Sequence, residues 1–127
     1  MSTRRHRCAV VDDSPVVLDL LRILLTAAGW DVATYSEVAA LELRLRAWCP
    51  DVILLDVGMP GVGLEGLRQR VVLLHVATGA KVLLHSARDA AELAQLAQRS
   101  GADGAVPKSG DPTALLRLLQ RCVGEAT

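Results

Sequence analysis

The run Val52-Ile53-Leu54-Leu55 is apolar without a break and stops at a carboxylate, Asp56. A strand with one wet face alternates apolar and polar side chains. An unbroken run of this length marks a strand buried on both faces, as in parallel sheets covered by helices on each side. Residues 8–11 and 81–85 are further runs of strand length, Gly104–Pro107 is a brief one, and Asp31–Tyr35 completes five.

Segments of helical period lie between them. Ser14-Pro15 opens the first helix, a good capping residue followed by proline at the first helical position. Val17, Leu20, Leu21, Leu24 and Leu25 share one of its faces until Gly29. Ser36 predicts the cap of a second helix running to about Trp48. After a turn at Met59-Pro60-Gly61, Leu64, Leu67, Val71 and Leu74 mark a third. Asp89 with Glu92 resembles a capping box for the fourth, and Asp111-Pro112 opens a fifth containing Leu115, Leu116, Leu118 and Leu119. Strict β–α alternation without a linker predicts a single domain over residues 1–127. The class is α/β: a doubly wound (βα)5 unit whose five parallel strands are joined by right-handed crossovers.

Composition removes several function classes. Apolar residues make up 51% of the chain, but no run approaches the roughly 18 residues of a membrane-spanning helix. Arg4, Arg5, His6 and Arg7 precede no apolar segment of the secretory type, so a cytoplasmic location is expected. Fourteen basic and fourteen acidic side chains cancel, which leaves no overall field for nucleic acid. Cys8, Cys49 and Cys122 have no metal-binding spacing, and buried free thiols are expected. Lysine occurs only at 81 and 108, against twelve arginines, so its placement is informative.

In parallel α/β sheets ligands bind beyond the carboxyl ends of the strands. Those ends carry Asp12 and Asp13, Asp56, Ser86 and Lys108. Taken singly, each has an ordinary use: a helix cap, a strand terminus, a turn, a solvated cation. Together they bring three carboxylates, a hydroxyl and an ammonium to one sheet edge. Carboxylates that close repel unless a cation neutralises them. Hard oxygen donors suit Mg²⁺, and aspartate can accept a phosphoryl group covalently.

The strings Val11-Asp12-Asp13-Ser14, Asp56-Val57-Gly58-Met59-Pro60, Ser86-Ala87-Arg88, Gly101-Ala102-Asp103 and Lys108 resemble the receiver domains of response regulators, over about residues 7 to 123. The resemblance implies the flavodoxin-like strand order 2-1-3-4-5. It also implies a phosphoacceptor role for Asp56, with a histidine kinase or phosphotransfer protein as donor. Asp13 would hold Mg²⁺ directly, Asp12 through water and Gly58 through its backbone carbonyl, with Asp56 also among the metal residues. Ser86 and Lys108 would contact the phosphoryl oxygens. A downstream output protein or domain is implied, as is possible homodimerisation through the helix 4–strand 5–helix 5 face. The domain would catalyse only its own phosphorylation and dephosphorylation.

Three positions depart from the family pattern. Ser109 replaces the proline that usually follows the lysine, so no cis bond is expected there, where it would cost about 2.5–4 kcal/mol. Gly63-Leu64-Glu65 fits the usual loop only with one residue deleted. The usual switch aromatic, three residues before the lysine, is Ala105, and a packed strand histidine is the reading of His85. An aspartyl-phosphate hydrolase of the haloacid dehalogenase type would separate its two aspartates by one residue, whereas Asp12 and Asp13 are adjacent. In a flavodoxin-like electron carrier these carboxylates would repel the flavin phosphate. The remaining alternative is a pseudo-receiver, an interaction module that signals without phosphorylation.

Overall fold

The computed structural model describes residues 4–58, 63–108 and 110–124. The turn expected at Met59-Pro60-Gly61, and Ser109, lie outside the described residues. The order is β1 (Arg7–Val11), α1 (Pro15–Ala27), β2 (Asp31–Tyr35), α2 (Val38–Glu42), β3 (Val52–Asp56), α3 (Leu64–Thr78), β4 (Lys81–Ser86), α4 (Ala90–Ser100), β5 (Gly104–Pro107) and α5 (Pro112–Cys122). The strands form one sheet in the order β2-β1-β3-β4-β5, all pairs parallel. This is the flavodoxin-like arrangement.

Alternate residues of each strand feed two cores. On one face Ala9, Val11, Ile53, Leu55, Val82 and Leu84 pack against α2, α3 and α4. On the other, Cys8, Val10, Val52, Leu54 and Leu83 pack against Leu21 and Leu25 of α1 and Leu115 and Leu119 of α5. Every residue of β3 is buried, which explains its lack of polar alternation.

The caps form largely as read. Ser14 Oγ accepts from the Val17 amide at 3.4 Å, Asp89 Oδ1 from that of Glu92 at 2.9 Å, and Asp111 Oδ1 from that of Thr113 at 3.0 Å. Gly79 and Gly101 end α3 and α4 at φ of 69° and 83°, a region costly for any residue with a Cβ.

Two expectations need correction. The second helix does not run from Ser36 to Trp48: its regular part is Val38–Glu42, with Glu37 at the cap and no side-chain cap bond. Beyond it, tighter bonds take over, from the Arg44 amide to Leu41 (3.0 Å) and from Ala47 to Arg44 (3.0 Å). These turns keep Leu45 and Trp48 against the core. The indole of Trp48 donates to Asp31 at 3.3 Å, and the Arg7 guanidinium lies 5.7 Å from its ring. Nor are the thiols uniformly buried: Cys8 is, Cys122 is half-buried and Cys49 exposed, all three free.

Candidate functional site

Asp12 follows β1 and is fully buried. Its Oδ1 accepts from the Ser14 amide at 2.9 Å, so the turn that caps α1 also orients this carboxylate. Asp13, next in sequence, is exposed. Asp56 ends β3 and is buried. Its Oδ1 accepts from the Gly58 amide at 2.9 Å. One carboxylate oxygen from each of Asp12, Asp13 and Asp56 lies within 4.8 Å of the others.

Lys108 reaches into this group from the end of β5. Its Nζ lies 2.8 Å from Asp12 Oδ2 and 3.2 Å from Asp56 Oδ1. Its backbone is tied to β4: Pro107 has no N–H to give, and the Lys108 amide instead donates to the Ser86 carbonyl at 2.7 Å.

Three carboxylates and one ammonium leave two excess negative charges. The Asp56 carboxyl is pushed above its ordinary value by burial, with Asp12 adding to the shift, against the Gly58 amide and Lys108. Burial alone would lower the Lys108 ammonium, but the hydrogen bond to Asp12 and the charge of Asp56 raise it. A dication among hard oxygen donors balances this excess, so the residues present fit Mg²⁺.

The structure thus brings Asp12, Asp13, Asp56 and Lys108 together. Ser86 is buried at the adjoining strand end, and its Oγ accepts from the Arg88 amide at 3.1 Å. Gly58 meets Asp56 through its N–H, a contact the sequence reading did not assign. Ala105 leaves a groove of about 310 Å³ between α4 and β5, lined by Ala90, Leu93, Ala94, Ala97 and Gly104 as well. His85, beside Asp56 in register, is buried, and its ring is held down at about 4 by burial first and by Lys108, against Asp12.

The response regulator receiver domain family model matches residues 8–120. The chain belongs to this family. Among its relatives is the DNA-binding response regulator MtrA of Mycolicibacterium smegmatis, 32% identical over 117 residues, or 91% of this chain and 50% of that protein. The transcriptional regulatory protein KdpE of Mycobacterium tuberculosis is 35% identical over 103 residues, 78% of this chain and 42% of that one. The receiver therefore spans about half the length, or less, of these relatives. Among solved structures, a response regulator receiver protein from Burkholderia phymatum superposes with a TM-score of 0.81 at 26% identity, covering 97% of this chain and 98% of that one. The chemotaxis response regulator CheY4 of Vibrio cholerae gives 0.74 at 27%, covering 94% and 99%. This receiver is thus a two-component signalling module rather than an enzyme of the usual kind. Among its described residues no helix is long and apolar enough to cross a membrane.

Proposed function

We propose that Asp56 is the phosphoacceptor of a two-component relay, taking a phosphoryl group from a phosphohistidine on a sensor kinase or phosphotransfer protein. The observation that carries this reading is the division of labour between its two oxygens. Oδ1 takes both protein contacts, the Gly58 amide and the Lys108 ammonium. Oδ2 has neither, and is the oxygen left to attack.

In the transfer, Oδ2 forms the new P–O bond as the P–N bond to the donor imidazole breaks. The electron pair leaves with that nitrogen. Such transfers need positioning and charge neutralisation more than covalent help. Lys108 supplies one fixed positive charge, and its β4 anchor holds it beside the acceptor. Ser86 would donate its hydroxyl to a phosphoryl oxygen, because its Oγ accepts from the Arg88 amide and leaves the O–H available. Asp12, Asp13, Asp56 and the Gly58 carbonyl would hold Mg²⁺, which supplies the remaining charge neutralisation when bound. Output passes to a separate protein or domain in the cytoplasm. The DNA binding named for MtrA would reside there rather than in this charge-neutral receiver.

Acetyl phosphate or phosphoramidate with Mg²⁺, read by intact mass, tests the reading. One phosphoryl group is expected on the wild type and none on Asp56→Asn. Equal labelling of the two removes Asp56 from the role. No labelling of the wild type leaves a pseudo-receiver acting as a phosphorylation-independent interaction module.

A further inference from the structure

On the α1/α5 side of the sheet lies a cavity of about 110 Å³ that the phosphoacceptor chemistry does not use. Its walls are mostly apolar, with Leu21 and Leu24 of α1 and Leu115 of α5, and Asp111 at the start of α5 also lines it. His85 closes one side and Lys108 another. His85 is only 6% exposed, and its Nδ1 is buried with no hydrogen-bond partner. A buried polar group without a partner costs free energy, and native proteins seldom leave one unsatisfied.

A neutral imidazole presents one donor and one acceptor, depending on the tautomer. The cavity is comparable to the engineered apolar cavity of about 150 Å³ that takes benzene. Lys108 and Asp111 bring opposite charges to the lining, and the Lys108 ammonium is already paired with Asp12 and Asp56, so the cavity favours neither ion and suits an uncharged guest. Apolar walls, a single unsatisfied polar side chain and this volume define the guest's chemistry.

We propose that this cavity binds a small uncharged aromatic molecule carrying one hydrogen-bonding group, of the phenol class. The ring lies between α1 and α5, and the polar group meets the His85 imidazole. The site adjoins the carboxylate cluster through Lys108 but shares none of its carboxylates, and binding requires no phosphorylation.

Titration of the isotope-labelled full chain with phenol, and separately with toluene, tests this by NMR. Phenol should shift resonances of His85, Leu21, Leu24 and Leu115 saturably, with a Kd on the order of 1 mM for so small a ligand. Toluene, of similar shape, should bind about five-fold more weakly, the worth of one neutral hydrogen bond. His85→Leu should erase that preference. Leu20→Trp, placed at the rim where Leu20 is 62% exposed, should block both ligands without disturbing the buried core. Shifts that fail to saturate, that scatter over the surface, or that survive Leu20→Trp would overturn the site. Equal affinity for phenol and toluene in the wild type would overturn the role of His85.

Discussion

At the scale of single residues, the carboxylate cluster is folded against its own charge. Burial raises the Asp56 carboxyl above its ordinary 3.8. Its stabilising contribution is therefore complete below that value and is lost as pH rises through the raised one. Asp56→Asn, neutral at every pH, should then be more stable than the wild type at pH 7 without Mg²⁺. The gain should be about 1 kcal/mol, or roughly 4 °C in melting temperature, and should vanish in acid. Melting curves at pH 3 and pH 7 check both sign and window. Asp12 and Asp13 should also separate. Asp12 is engaged through both oxygens, by the Ser14 amide and by Lys108, whereas Asp13 is exposed and has no such partner among the described residues. Asp13→Asn should therefore weaken Mg²⁺ binding more than Asp12→Asn in a calorimetric titration. Equal losses would reverse the direct and water-mediated assignments.

At the scale of elements, side-chain caps were legible and helix length was not. Serine or aspartate followed by proline or glutamate announces a helix start by local hydrogen bonding. Nothing local announced the early end of α2. There the apolar spacing at Val38, Leu41, Leu45 and Trp48 fits both an α-helix and the tighter turns that replace it, and the anchoring of Trp48 by Asp31 is a contact across 17 residues. Asp89→Ala should cost about 1 kcal/mol, because one backbone donor of α4 loses its acceptor; urea unfolding measures it. The start of α4 also bears on signalling. Ala105 has a single methyl and no rotamer to turn, so the movable element nearest Asp56 is the stretch from Ser86 into α4. With beryllofluoride bound at Asp56, amide exchange should change mainly over residues 86–95 and little over 104–106. The opposite pattern would place the switch on β5.

At the scale of the whole molecule, the strand ends facing away from Asp56 are held by a different carboxylate. Asp103 Oδ2 lies 2.7 Å from His75 Nε2 of α3 and accepts from the Val82 amide of β4 at 2.8 Å, while its own amide donates to the Val82 carbonyl. In the sequence it was only one letter of a matching string. Its purpose depends on α3, β4 and the approach to β5 meeting, which no window of neighbours encodes. The site residues were legible for the opposite reason: parallel topology alone sends every strand's carboxyl end to one edge. Burial pushes the Asp103 carboxyl up, but the Val82 amide and His75 outweigh it and hold it below the ordinary range. Its stabilisation is present above pH 3.8 and lost as pH falls through the lowered value. Asp103→Ala should cost about 1–2 kcal/mol at pH 7, a difference that shrinks in acid.

The central strand has a further consequence, one of time rather than shape. β3 is paired on both sides and covered on both faces, so it has no partial route to solvent. Its amides should exchange only when the entire domain opens, whereas the edge strands and the turns after α2 fluctuate at smaller cost. Asp56 is mounted on the tip of that strand. An acyl phosphate formed there would not be uncovered by local breathing, so its lifetime would be set by the groups around it and not by the restlessness of the fold.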